Sequence, residues 1–206
     1  MSEMVIRQET RKGRQQGQIL TAALELFSER GYRGVTMHEV AEKAEVAMGT
    51  LHGFFKNEEE LYKALVMEKA EEYHRLLEAA LSEEDDTLST VRGYIRAKAR
   101  VFADGGAMLQ LYVAETRGAS FSIRAGVDED IRRLYDEVVE RLASVLERGV
   151  EKKVLRKLDP YYMAVALEGL TNAFLFCWLE DPKRHPYEKN VSMITELFLR
   201  GSQPQW

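Results

Sequence analysis

The stretch "VAEKAEVAMGTLHGFF", residues 40–55, has the pattern of two short helices joined by a tight turn. Its apolar residues lie at the spacings that lock the corner between two such helices: Val40, Ala44, Val46, Leu51 and Phe54. Ala41 is small enough for the helices to touch there, and the turn falls at Glu45. The pattern predicts a helix-turn-helix, whose second helix fits the major groove of DNA.

Two residues of this stretch are unusual for that structure. A left-handed residue other than glycine, as expected at Glu45, costs about 1–2 kcal/mol. Ala47 has no side-chain oxygen to cap the second helix, and a lost cap costs about 1 kcal/mol. We therefore expect a corner that packs correctly and a recognition helix that is weakly capped.

Helix signals continue on both sides of the stretch. Gly31 suits the end of an apolar-periodic helix, and Thr36 with Glu39 forms a capping box that opens the next. Asn57 caps a long helix whose first turn is acidic. Further helices are predicted at about 88–103, 107–117, 128–148, 160–180 and 188–200. With no convincing strand pattern, the prediction is an all-α protein of about nine helices.

The charge is unevenly distributed over the 206 residues, whose net charge is −5. Residues 1–56 hold eight Lys/Arg and seven Asp/Glu, and residues 57–206 hold 21 and 27. Much of the early positive charge lies in "RQETRKGR", residues 7–14. A basic arm before the first helix can lie along phosphates or enter a groove, although a solvated terminus is the alternative.

Several other classes of protein are disfavoured by the sequence. The one cysteine, Cys177, excludes an internal disulfide framework. The N-terminus has no apolar signal-peptide core, and the apolar run at 173–179 is too short to span a bilayer, so we expect a cytoplasmic protein without membrane partners. The histidines show no metal-binding spacing, and no catalytic or cofactor-binding motif is present. We expect no enzyme activity, no cofactor and no metal.

Residues 19–65 resemble the DNA-binding segment of the TetR family of bacterial transcriptional regulators. The landmarks are "AALELFSERGY", Thr36, "VAEKAEV", "GTLHGFF" and "KNEEELY". The resemblance implies a helix-turn-helix domain over residues 1–56 and a helical effector-binding and dimerisation domain over 57–206. It implies a homodimer that usually represses its operator until a small effector releases it. The family usually has glycine at position 45 and serine or threonine at 47, so binding could be weakened here.

The resemblance also suggests which residues bind DNA. Thr36 and Lys56 would contact phosphates, and Thr50 and His52 would lie on the groove-facing helix. Met48 could contact a thymine methyl group, and the basic arm could replace lost phosphate contacts. The expected DNA-binding residues are Arg11, Arg14, Thr36, Ala47, Met48, Gly49, Thr50, His52 and Lys56.

The effector site can only be narrowed to candidates. Aromatic and methionine side chains make adaptable apolar walls, so we expect a hydrophobic or aromatic effector. The candidates are Phe102, Met108, Leu111, Tyr112, Phe121, Asn172, Phe174, Cys177 and Trp178. Asn172 is the sharpest of them, because a buried amide must be hydrogen-bonded, by a ligand or by neighbouring backbone. An ordinary core role is the alternative for each aromatic residue, and Cys177 is expected to be a small buried apolar residue.

Two apolar helices are expected to form the dimer interface. "PYYMAVALEGLTNAFLFCWLED", residues 160–181, is apolar around much of its circumference, and the last helix carries a second apolar stripe. Such surplus apolar surface suits a two-fold four-helix interface. The competing interpretation of the whole chain is a helical ligand-binding or adaptor protein of this fold that has lost DNA binding.

Overall fold

The computed structural model describes residues 3–81, 86–104 and 129–203, and gives the backbone alone for residues 3–11, 104, 187 and 188. Within these ranges the chain forms α-helices and one 3-10 turn, Tyr32–Gly34, and no strand. The helices are α1 Glu3–Arg30, α2 Met37–Lys43, α3 Met48–Phe54, α4 Glu58–Ala80, α5 Thr87–Asp104, α6 Glu129–Glu151, α7 Pro160–Glu180 and α8 Tyr187–Ser202. The all-α prediction is confirmed. The helix predicted at 107–117 lies outside the described residues.

The start of α1 corrects one expectation. The basic segment 7–14 is not an arm before the first helix, because α1 already begins at Glu3. Arginine, lysine, glutamine and glutamate are good helix formers. They extend the helix towards the N-terminus once its apolar end is packed, despite the cost of about 1 kcal/mol for each of Gly13 and Gly17.

The described residues divide into two compact units, one ending at Lys69 and the other beginning at Ala70. In the first unit an apolar core joins α1 to α4. Its fully buried side chains include Ile19, Phe27, Val40, Leu51 and Leu61. Phe27, Tyr32 and Tyr62 form a ring cluster with centroids 5.0–5.9 Å apart, an arrangement that stabilises the end of α1 against the start of α4.

The second unit is built around two main helix pairs, α6 with α7 and α5 with α8. Their core includes Tyr94 and Ile95 from α5, Leu142 and Leu146 from α6, and Leu167 from α7, each with no measurable exposure. The amphipathic pattern of α6 explains its place in the core, because its apolar residues recur on one face.

The end of α6 also differs from the prediction. The predicted helix ended at residue 148, whereas α6 continues to Glu151 and therefore includes Gly149. A Cβ atom at this position would meet Thr87 Cγ2 at 2.6 Å and Leu155 Cδ1 at 2.7 Å. The glycine is therefore required by close packing between α6, the start of α5 and the turn after α6.

Helix α7 is more apolar than its longest uninterrupted run indicates. It has 21 residues, and a window with a mean hydropathy of 1.4 makes it long and apolar enough to cross a membrane. The expectation that no segment spans a bilayer was based on residues 173–179 and not on the complete helix. Core helices pass the same test, and the buried stripe of α7 packs into the second unit through Met163, Ala164, Leu167 and Leu175.

Candidate DNA-binding surface and effector site

The turn between α2 and α3 is a Schellman motif that contains a glutamate. Val46 N–H donates to Ala41 O at 3.0 Å and Glu45 N–H donates to Glu42 O at 3.1 Å, which satisfies two of the last carbonyl groups of α2. Glu45 has a φ of 54°, as the sequence predicted for a left-handed turn residue. The chain therefore makes the helix-turn-helix corner without glycine.

The corner between the two helices is packed largely as predicted. Val40, Ala41, Ala44 and Leu51 are buried, whereas Val46 and Phe54 are half-buried. Phe55, which follows α3, is the second large side chain buried there. It was not among the predicted locks, because the helical spacing stops at Phe54 while the extended residue after the helix turns inward.

The start of α2 carries the predicted capping box. Glu39 N–H donates to Thr36 Oγ1 at 3.4 Å, and Thr36 N–H donates to Glu39 Oε2 at 2.9 Å. The Thr36 hydroxyl also donates to Glu39 Oε2 at 2.9 Å. Arg30 pairs with Glu39 at 2.6 Å. The hydrogen bonds from Thr36, followed by that from Arg30, lower the pKa of Glu39 below its ordinary value.

This capping box changes what Thr36 can offer to a phosphate. The side chain is exposed, as a DNA contact requires, but its hydroxyl hydrogen is given to Glu39. A phosphate contact by this hydroxyl would need that hydrogen to leave Glu39. The predicted role of Thr36 in DNA binding stays a prediction.

The exposed surface of helix α3 contains two glycines. Ala47 is its N-cap with extended backbone, φ −67° and ψ 146°, and makes no side-chain cap, as predicted. Gly49 and His52 are exposed, while Met48 and Thr50 are half-buried. A Cβ atom at Gly49 or Gly53 would meet nothing within 4 Å. The backbone of α3 is therefore open to close approach from outside.

The other predicted phosphate contacts are Lys56 and the basic residues of α1. The Lys56 side chain is 84% exposed, and its Nζ pairs with Glu60 Oε1 at 3.5 Å. Because an exposed ion pair contributes little stability, Lys56 can exchange Glu60 for an external anion at small cost. Lys56 N–H donates to Glu60 Oε2 at 2.7 Å, and this bond lowers the pKa of Glu60. Arg14 is exposed on α1, and the side chain of Arg11 lies outside the described residues.

The predicted effector residues divide between buried, half-buried and exposed positions of the second unit. Phe102 and Asn172 are buried, and Phe174 and Trp178 are half-buried against the core. Cys177 is exposed, which corrects the expectation of a buried residue. Because α7 is apolar on all sides, its pattern does not indicate which face is inward. Met108, Leu111, Tyr112 and Phe121 lie outside the described residues.

A buried polar cluster lies among these apolar side chains. Lys98 Nζ donates to Glu168 Oε1 at 2.6 Å, and both side chains are only 4% exposed. The Tyr94 hydroxyl donates to the same oxygen at 2.6 Å, and Lys98 Nζ lies 5.6 Å from the centroid of the Phe102 ring. Burial lowers the pKa of Lys98, although the neighbouring carboxylate of Glu168 acts in the opposite direction.

Asn172 lies on α7 one turn beyond Glu168. Its side chain is 4% exposed, and its Oδ1 is buried with no hydrogen-bond partner. The neighbouring buried hydroxyl of Thr171, in contrast, donates to Glu168 O at 2.9 Å. A backbone group or a ligand was the expected partner of Asn172, and in the described part of the chain no backbone group donates to its Oδ1.

Comparison with known proteins identifies the family. Residues 19–65 match the family model of bacterial regulatory proteins, tetR family. The chain belongs to the TetR family. The uncharacterized HTH-type transcriptional regulator YhgD of Bacillus subtilis is 24% identical over 183 residues, 88% of this chain and 92% of that protein. DNA binding and transcriptional regulation are therefore the general function of this TetR-family chain.

Solved structures of TetR-family proteins have the same fold. FadR of Bacillus subtilis, solved with stearoyl-CoA, has a TM-score of 0.68 at 20% identity and covers 89% of this chain and 97% of its own. SmeT, the repressor of the multidrug efflux pump SmeDEF of Stenotrophomonas maltophilia, has a TM-score of 0.71 at 18% identity and covers 92% and 91%. At such identities the likeness extends to the fold alone.

Tyr94, Lys98 and Glu168 were not among the residues predicted for the effector site. A signal for them was present in the sequence. Glu168 is the only charged residue in the mainly apolar segment 160–179, and Lys98 continues the helical spacing of Val91, Tyr94 and Ile95. Charged residues at buried positions are nearly always paired, so the two could have been matched as partners.

In the described part of this TetR-family chain no group of three or more histidine, cysteine, aspartate or glutamate residues is arranged to hold a metal ion. The relatives are transcriptional regulators and not enzymes. The arrangement of the site is accordingly suited to binding, with an open helix in the first unit and a buried polar cluster in the second.

Proposed function

We propose that this TetR-family regulator is a homodimeric cytoplasmic repressor, which leaves its operator when a small hydrophobic effector binds. The observation that carries this proposal is the open surface of α3, held by a packed helix-turn-helix corner. Its small residues allow the backbone to approach base edges closely, and the half-buried Met48 and Thr50 add apolar and polar contacts.

Exposed apolar residues on α7 and α8 support the homodimer. Tyr162, Val165, Met193 and Leu197 are 69%, 38%, 53% and 53% exposed. Between Val165 and the terminal Glu180, the exposed residues of α7 are small: Ala166, Gly169, Ala173 and Cys177. Small residues let helices of two protomers approach closely, and apolar neighbours gain by burial there. We therefore assign α7 and α8 as a two-fold interface.

The composition of the second unit supports an apolar effector. Phe102, Phe174 and Trp178 lie in or against its core, next to the cluster formed by Lys98 and Glu168. FadR was solved with stearoyl-CoA, which has a long apolar acyl chain, and SmeT with triclosan, an apolar aromatic ligand. Repression is proposed because SmeT, a protein of the same fold, is described as a repressor.

Fluorescence anisotropy tests the DNA-binding part of the proposal. The purified protein is titrated onto the DNA upstream of its own gene and onto random duplex, from about 50 to about 300 mM salt. A dimer with about three phosphate contacts per protomer should give a log–log slope of roughly −5, since each neutralised phosphate contributes about −0.9. Equal binding to random duplex, and no preferred site in a genome-wide selection, would favour the ligand-binding protein that has lost DNA binding.

Lys56 and Lys63 give a matched pair of variants for this experiment. Both are exposed and pair with a glutamate four positions away, Lys56 with Glu60 and Lys63 with Glu59. Lys56→Ala should make the slope shallower by about 1.8, because a dimer loses two phosphate contacts. Lys63→Ala should leave the slope unchanged.

A further inference from the structure

The side chain of Asn172 lacks the hydrogen bond that its burial demands. A carboxamide oxygen removed from water needs a donor, and most buried polar side-chain atoms in proteins have one. The Oδ1 of Asn172 has none, although its side chain is only 4% exposed. The neighbouring polar side chains of Thr171, Tyr94 and Lys98 are all hydrogen-bonded to Glu168.

The buried charges of Glu168 and Lys98, one helical turn from Asn172, balance each other. Residues four apart on a helix lie about 5–6 Å from each other, so Asn172 is a close neighbour of Glu168. The carboxylate of Glu168 is paired with the ammonium group of Lys98, and Tyr94 supplies a further neutral donor. That ammonium group also lies over the Phe102 ring, 5.6 Å from its centroid. No surplus positive charge is left in this cluster for an anionic head group.

We propose that Asn172 is the polar contact of the effector site, and that it selects a neutral apolar ligand with a hydrogen-bond donor, such as an amide N–H or a hydroxyl. This inference rests on the proposed function, because it names the class of effector. An anionic ligand would bring an additional negative charge to a buried cluster whose ammonium group is already paired with Glu168, and burying a charge without a partner is costly. Selection at Asn172 therefore favours a neutral head group over a carboxylate or a phosphate.

The first arm of the test measures the stability of the protein without ligand. Asn172→Leu removes an unpaired buried amide, so the melting temperature should rise by about 2–4 °C. Thr171→Val, at the adjacent buried position of α7, is the matched control. It removes a satisfied hydroxyl and should lower the melting temperature. A fall of the melting temperature in Asn172→Leu would assign the amide a structural role and overturn the proposal.

The second arm uses ligands that differ in one group. Primary amides with alkyl chains of about 8 to 14 carbons carry the N–H donor, their N,N-dimethyl amides lack it, and the matching acyl-CoA thioesters carry anionic phosphates. Calorimetry should detect binding of at least one primary amide by the wild type, and this binding should weaken roughly five- to tenfold in Asn172→Leu. The dimethyl amide and the thioester of the same chain should bind more weakly than the primary amide.

Three results would overturn the inference: no primary amide binds, the thioester or dimethyl amide binds as tightly as the primary amide, or Asn172→Leu leaves amide binding unchanged. Asn172→Ala repeats the measurement if the leucine variant does not fold. Operator binding without ligand is measured in parallel. If the wild type binds its operator but does not prefer the primary amide over the other two ligands, this inference alone is contradicted. If the wild type does not bind its operator, the proposed function is contradicted.

Discussion

Glu45 and Lys153 are the two residues other than glycine that have a positive φ in the described part of the chain. Both occupy the same position of a Schellman motif. Lys153 N–H donates to Val150 O at 3.0 Å and Val154 N–H donates to Gly149 O at 3.0 Å, which repeats the pattern after α2. Each turn therefore keeps its hydrogen bonds at the cost of a strained backbone.

Replacing Glu45 with glycine should relieve this strain. The left-handed conformation costs about 1–2 kcal/mol for a residue with a Cβ, and the greater freedom of glycine in the unfolded chain offsets about 0.5–1 kcal/mol. Glu45→Gly should raise the free energy of unfolding by about 0.5–1 kcal/mol, as measured by urea denaturation with circular dichroism.

The control replaces another glutamate, one helical turn earlier in the chain. Glu42→Gly lies in the helical part of α2 and should lower the free energy of unfolding by up to about 1 kcal/mol. Equal effects of the two glycine variants would mean that the conformation of residue 45 is not strained.

Ala47 leaves the first N–H groups of α3 without a side-chain cap. Its extended backbone suits a capping residue, so Ala47→Thr should add about 1 kcal/mol to the free energy of unfolding. Ala47→Val introduces a side chain with the shape of threonine but without an oxygen, so it should leave the free energy of unfolding unchanged. Operator affinity, measured by anisotropy, should rise for threonine alone because a hydroxyl can also contact a phosphate. Equal stability of the two variants would contradict the capping argument.

At the scale of the element, the capping box of α2 combines a helix start with a contact to α1. Glu39 accepts from Thr36 and pairs with Arg30, and its pKa is lowered. A carboxyl group with a lowered pKa in the folded state stabilises the fold above its unfolded pKa. It loses that contribution as the pH falls through the folded value.

We therefore expect α2 to become less stable as the pH falls below about 4.5, the region in which the unfolded chain protonates first. Glu39→Gln should flatten this part of the pH dependence, measured as the free energy of unfolding between about pH 6 and about pH 2. Glu42→Gln, an exposed residue that makes none of these contacts, should retain it. The expectation is wrong if Glu39→Gln keeps the full acid sensitivity.

The helices of this chain follow closely from local patterns. Thr36 and Asn57 cap α2 and α4 as predicted, because capping depends on residues two or three positions apart, and Asp159 caps α7 in the same way. The exposure of Cys177 and the pairing of Lys98 with Glu168 depend on distant helices. An apolar run on all sides of α7 contains no information about which face meets a neighbour. Residues 7–14 were expected to precede the first helix because of their positive charge, although their helix propensity favours the helix that they form.

At the scale of the whole molecule, two equally exposed leucines of the second unit differ in their apolar surroundings. Leu76 on α4 and Leu197 on α8 are equally exposed, at 50% and 53%. Leu197 shares its helix with the exposed Met193, and α8 packs on α7, whose exposed small residues extend the surface. The proposed dimer buries Leu197 and leaves Leu76 in water.

Leu197→Asp should therefore weaken the dimer roughly a hundredfold, because two copies lose about 1.5 kcal/mol of burial each. Sedimentation velocity over a range of concentrations measures this change, and Leu76→Asp is the matched control. Cys177 gives an independent signal, since the exposed thiol should be alkylated faster once the dimer dissociates. An unchanged mass and alkylation rate in Leu197→Asp would place the interface elsewhere.

Gly149 also has a consequence for how this sequence can vary. Where Gly49 and Gly53 have free space for a side chain, residue 149 meets Thr87 and Leu155 closer than any Cβ normally approaches. Among randomised variants selected only for folding, positions 49 and 53 should diversify while position 149 keeps its glycine, unless residues 87 and 155 change with it. Residues 87, 149 and 155 should thus covary, although they lie on three separate segments of the chain.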